Sequence, residues 1–350
     1  MNLSAFDPTS PEFRSNPYPF YEFLRNSAPL FYAEPWNRWF VTEYEDCKTL
    51  LADNRLGNNS GPDSQGSMLF RDPPDHTRLR RLVNKAFTPR TVERLRGRTQ
   101  SIAAQLLDDI QSRAAKGETI DLIESYAYPI PLTVIAEMLG VPPKDHERFQ
   151  HWSEALVQTL DLLPDDPARA EEAANADTGF RVYFDELIAE RRARPQEDMV
   201  SELIVAEEAG DRLSSEELFN MCRLLLIAGH ETTVNLIGNC VLMLLNHPDQ
   251  LQRLKADPTL IKTTIEETMR FESPIQAVGR TPLEEFSYKG VEFKYNQNVI
   301  FFAGAANRDP KQFKDPQTFD VGRQHNPHMG FSHGIHYCLG APLARMESQV

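Results

Sequence analysis

Cys338 stands directly before the start of a helical stretch, with Pro342 in its first turn. A helix N-terminus offers backbone N–H groups without partners and a partial positive charge. Both favour a thiolate over a thiol, and a thiolate can ligate a metal. Gly334 and Gly340 flank the cysteine and let backbone turn tightly and approach a flat ligand closely. Phe331 can cover the sulfur from water. The residues alone leave two other readings open. One is a buried structural thiol. The other is zinc, because His325, His328, His333 and His336 share this segment with Cys338 and zinc accepts such ligands. Their spacings do not match the paired patterns of zinc sites.

A second run with chemical potential is Ala228-Gly229-His230-Glu231-Thr232-Thr233. A zinc-protease helix would need His-Glu-x-x-His, and Val234 stands where the second histidine belongs. Glycine in a helix interior costs about 1 kcal/mol against alanine, and threonines are modest helix formers. Such a run inside an otherwise strong helix predicts a local opening that serves a purpose. The alternative is a small-residue packing notch, with Glu231 salt-bridged or solvated. Glu267 and Arg270 place opposite charges one turn apart on a shorter helix.

The elements that must position these residues are mostly helical. Ser214-x-x-Glu217 is a capping box and Pro248 is the next stop, leaving roughly 32 residues or about 48 Å of helix. It is apolar on most sides over Leu224–Ile227 and Val241–Leu245, so it is expected to cross the interior. Helix is also expected from Asp75 to about Arg194 and over Leu260–Phe271. Short strands are expected near Leu30–Ala33 and Arg38–Thr42 and within 285–303. Residues 304–338 read as a long functional loop, residues 57–75 as a second loop, and residues 1–16 as a surface wrap. The fold class is therefore mainly α with a minor β-sheet.

Composition narrows the function. The chain has 350 residues and a formal net charge of −14, which argues against nucleic-acid binding. No signal peptide or run of about 18 apolar residues is present. Cys47, Cys222, Cys240 and Cys338 form no disulfide framework. A cytoplasmic monomer away from the membrane is the expectation. Residues 71–98 invert the overall charge, with Arg71, Arg78, Arg80, Arg81, Lys85, Arg90, Arg94, Arg96 and Arg98 against Asp72, Asp75 and Glu93. This is either a solvated helix face or a docking surface for an acidic partner.

Residues 331–340, Phe-x-x-Gly-x-His-x-Cys-x-Gly, resemble the haem-binding signature of the cytochrome P450 family, with Ser332 where the family often has glycine. Residues 228–233 are similar to that family's oxygen-activation motif. The resemblance spans Asn16-Pro17-Tyr18-Pro19 to the last helix. It implies a single P450 domain over 1–350, with haem b held between the long helix and the cysteine loop. Its C-terminal end, a further helix segment and a β-hairpin, is expected beyond Val350. Cys338 becomes the iron ligand. Ala228 and Gly229 make room for dioxygen, and Glu231 and Thr232 supply the acid and the alcohol that deliver protons before the O–O bond breaks. Two haem carboxylates need cationic partners; His76, Arg80, Arg280 and His336 match those positions. Phe331 and Gly340 complete the haem contacts. Glu267, Arg270 and Arg323 match a structural triad.

No flavin- or nicotinamide-binding stretch is present, so the resemblance implies electrons from a ferredoxin or flavodoxin and its NAD(P)H-dependent reductase. The implied activity is insertion of one oxygen atom from dioxygen into a lipophilic small organic substrate. Its lining is expected from 57–70, the helices of 150–190, Leu224–Ala228, Ile275–Val278 and Phe301–Phe302. A haem-binding but catalytically idle protein is the alternative.

Overall fold

The computed structural model describes residues 3, 6–58, 66–157, 166–208 and 213–350. Residues 59–65 and 158–165 of the expected substrate lining lie outside them. The strands are β1 (Leu30–Ala33), β2 (Arg38–Val41), β3 (Leu56–Gly57), β4 (Val278–Pro282), β5 (Phe286–Tyr288), β6 (Val291–Phe293) and β7 (Asn298–Phe301). Five of them form one sheet in the order β1-β2-β7-β4-β3, and β5 pairs with β6. The β1–β2 hairpin pairs Leu30 with Val41, and β2 runs parallel to β7. In the antiparallel β4–β7 pair Arg280 lies opposite Val299, so the sheet fixes the height of Arg280.

The helices that build the site are α1 (Asp75–Ala86), α2 (Pro89–Ala114), α3 (Pro129–Met138), α4 (His146–Val157), α5 (Ser215–Asn246), α6 (Ile261–Phe271) and α7 (Ala341–Ser348). α5 has 32 residues. Its start is fixed by the capping box: Glu217 N–H donates to Ser214 Oγ at 3.1 Å, and Ser214 N–H donates to Glu217 Oε2 at 2.7 Å. Buried residues occur on several sides of it, from Leu218 to Leu244, as a core-crossing helix requires. Among the described residues no helix is long and apolar enough to cross a membrane.

One expectation fails here. Residues 1–16 do more than wrap the surface. Phe6 and Phe13 are buried with Tyr21, Phe40 and Phe302, because aromatic rings so close to the sheet gain more by burial than by solvation. Phe301 and Phe302, expected in the substrate lining, pack in the core. Phe302 stacks on Phe40 with ring centroids 5.2 Å apart, and Phe301, the last residue of β7, is fully buried.

Candidate functional site

The loop before α7 folds back on itself: Cys338 N–H donates to Phe331 O at 2.9 Å. Phe331 and Ala341 share a buried cluster with Leu236 and Cys240 of α5 and Met269 of α6, and Cys338 packs against it. The same cluster therefore joins the cysteine loop to the long helix, one turn below Thr232. Arg345, one helical turn further on, lies with its guanidinium carbon 4.5 Å from the Phe331 ring centroid. Glu266 of α6 holds it through two hydrogen bonds of 2.6 and 2.9 Å. Sequence reasoning did not single out Arg345 or Glu266; the sign available was a basic residue near the cysteine in an otherwise apolar stretch.

Of the four cysteines, Cys338 alone has two arginines acting on it. Burial pushes its thiol up, while N–H groups of Gly340 and Ala341, Arg80 and Arg345 pull it down. The expected helix-terminus donors are thus present, but burial outweighs them. Cys47, Cys222 and Cys240 are buried thiols raised by burial, Cys222 to about 12.

Four basic side chains converge beside this loop. His76 of α1 and His336 of the loop have ring centroids 4.2 Å apart. Arg80, one turn after His76, donates to Tyr337 O at 2.7 Å. Arg280 is buried, and burial lowers its guanidinium to about 10, with Asp72 opposing. Burial, then Arg280, His76 and Arg80, push His336 down to about 3. His336 Nε2 is buried without a hydrogen-bond partner. A buried guanidinium, a half-buried one and an orphaned ring nitrogen are the donor set that two carboxylates of a haem would satisfy. A zinc cluster does not form: among the described residues no three metal-ligating side chains come together. His328 is instead bonded to Glu266 at 3.0 Å.

On α5, Ala228 and Thr232 lie one turn apart on one face, and Thr232 Oγ1 donates to Ala228 O at 3.2 Å. Thr233 points away and is buried. The helix is continuous through this run. The expected local opening is absent because the hydroxyl bonds the carbonyl four residues back without displacing the ladder. Gly229 makes room for packing: a Cβ there would meet Ile135 of α3 at 3.0 Å. Glu231 is half-buried, and burial followed by Glu154 raises its carboxyl above the ordinary value. Glu267 accepts Arg270 at 2.8 Å on both oxygens and Arg323 at 2.9 Å, so the expected triad is assembled.

The pattern of the family described as Cytochrome P450 matches residues 37–350. The biotin biosynthesis cytochrome P450 of Bacillus subtilis is 41% identical, over 99% of this chain and 90% of its own. Cytochrome P450 monooxygenase PikC of Streptomyces venezuelae is 42% identical, over 97% and 83%. A solved structure of P450BioI, in complex with hexadec-9Z-enoic acid ligated acyl carrier protein, superposes with a TM-score of 0.90. It is 41% identical, over 97% of this chain and 91% of that one. A cysteine at a helix start beside a cluster of basic side chains thus sits in a chain that belongs to the cytochrome P450 family, the haem b-dependent monooxygenases.

Proposed function

We propose that Cys338 ligates the haem iron and that His76, Arg80, Arg280 and His336 hold the haem carboxylates. In this reading Phe331 and Gly340 shape the proximal face, and residues 1–350 act as one domain. Bound there, haem supplies the activation of dioxygen; the protein binds, orients and moves protons. Ala228 and Gly229 keep the distal helix slim. Thr232 holds a hydroxyl on the face it shares with Ala228, and Glu231 carries a proton that it gives up toward that hydroxyl. The raised carboxyl of Glu231 suits a donor. The product is a lipophilic small organic molecule carrying one oxygen atom from dioxygen. An acyl chain is a reasonable first substrate, since the P450BioI complex holds one on its acyl carrier protein.

Electrons come from a ferredoxin or flavodoxin and its NAD(P)H-dependent reductase in the cytoplasm. The basic stretch 71–98 is partly neutralised within the fold. Arg98 pairs with Glu137 at 2.6 Å, Arg96 with Glu93 at 2.7 Å, and Arg78 with Glu217. Lys85, Arg90 and Arg94 remain exposed and are the residues an acidic donor would meet first. The observation that carries the proposal is the convergence of Arg280, His76 and orphaned His336 beside Cys338. The test is Thr232→Ala: NAD(P)H consumption continues, product per NAD(P)H falls, and hydrogen peroxide makes up the difference, while Thr233→Ala behaves as the parent. Equal coupling in Thr232→Ala and the parent contradicts the assignment.

A further inference from the structure

His230 is fully buried, yet its ring is hydrogen-bonded at both nitrogens. Nδ1 lies 3.0 Å from Leu226 O, and Nε2 lies 3.4 Å from Tyr128 Oη. A carbonyl oxygen only accepts, so Nδ1 carries the proton. Burial lowers His230 and keeps it neutral, so Nε2 presents a lone pair. That lone pair faces two groups: the Tyr128 hydroxyl and, at 3.6 Å, Glu231 Oε2. The Tyr128 and His230 rings meet edge to face, with centroids 5.5 Å apart. Beyond Tyr128 stands Glu154, an exposed residue of α4. Glu154 is felt electrostatically along the whole row: after burial, it raises Tyr128 and Glu231 and favours the protonated form of His230.

We propose that Glu154, Tyr128 and His230 form a proton-entry path that refills the Glu231 carboxyl from the outer surface. The path rests on the reading of Glu231 and Thr232 given above and specifies where their protons come from. A proton taken up by the Glu154 carboxylate passes to Tyr128 Oη as the tyrosine's own proton passes to His230 Nε2. The imidazolium then releases the Nε2 proton to the Glu231 carboxylate. Glu154 returns to carboxylate, Tyr128 and His230 regain their starting forms, and one proton has moved inward with no change of redox state. The first and last steps lack a formed hydrogen bond, as relay contacts often do before substrate binds. Rotation of the exposed Glu154 and half-buried Glu231 side chains closes them. Tyr128 and His230 act here as positioning residues.

Tyr128→Phe keeps the ring that packs on His230 and removes the hydroxyl. Glu154→Gln changes an exposed side chain. In the diamagnetic ferrous carbonyl protein, nitrogen-15 NMR of the histidines, with His230 assigned by its loss in His230→Gln, should find Nδ1 protonated and Nε2 bare. In Tyr128→Phe the Nε2 resonance should shift to that of an imine nitrogen without a donor. In turnover, Tyr128→Phe and Glu154→Gln should lower product per NAD(P)H several-fold and enlarge the solvent deuterium isotope effect. Glu147→Gln, exposed on the same helix, should match the parent. An unmoved Nε2 resonance in Tyr128→Phe, or parental coupling and isotope effect in both path variants while Thr232→Ala uncouples, overturns the path alone. Parental coupling in Thr232→Ala overturns the Glu231–Thr232 reading instead.

Discussion

The hydrogen bond from Cys338 N–H to Phe331 O, 2.9 Å long, closes the cysteine loop over two residues with left-handed backbone: Ser332 at φ 62° and Gly334 at φ 75°. A Cβ at Gly334 would strike the carbonyl oxygen of Leu51. Gly334→Ala therefore adds both strain and a collision and should cost about 1–3 kcal/mol. Ser332 bears the strain with a buried hydroxyl that has no partner. Ser332→Gly should raise stability by about 1 kcal/mol. Chemical unfolding of the haem-loaded protein reads both, and a lower midpoint for Ser332→Gly contradicts this account of the loop.

Arg280 is buried on β4, where its guanidinium donates to Gly279 O at 2.7 Å. If it faces a haem carboxylate, Arg280→Ala leaves that charge buried and unpaired, at about 3–5 kcal/mol. Haem transfer to an acceptor protein should then quicken by orders of magnitude. Parental haem loss places Arg280 in a structural role only.

Glu266 supplies a pH test. Burial alone would raise it, but hydrogen bonds from His328 and Arg345 outweigh burial and hold its carboxyl down from 4.5 to about 2. A depressed carboxyl contributes stability that is complete above its unfolded value and is lost as pH falls through the folded value. Stability from this group should thus decline between about pH 4.5 and 2. Glu266→Gln should be less stable at neutral pH and should lose less over that window. An unchanged acid profile in the variant denies the Glu266–Arg345 brace under Phe331.

Much of this site was legible because its signals are local. The capping box at Ser214 and the stop at Pro248 bound α5, and Glu267 with Arg270 lie on one face of α6 through helical spacing alone. The segment 331–340 carried its resemblance in consecutive residues. Partners distant in sequence were not legible. His230 meets Tyr128 and Arg345 meets Glu266 only after α5, α3, α6 and α7 have packed. The same limit holds for Phe302: the rings of Phe13, Tyr21 and Phe40 that cover it are named only by the fold. Gly229 had two readings in the sequence, and Ile135 favours packing.

The central claim is that Cys338 is the iron ligand, and the reduced carbonyl spectrum tests it most directly. The parent, reduced and exposed to carbon monoxide, should give the red-shifted Soret band of a thiolate-ligated haem. Cys338→His and Cys338→Ala should lose that band, with any haem they retain absorbing as an imidazole- or water-ligated form does. A Cys338 variant that keeps the red-shifted band would contradict the assignment and place the axial ligand elsewhere in the chain.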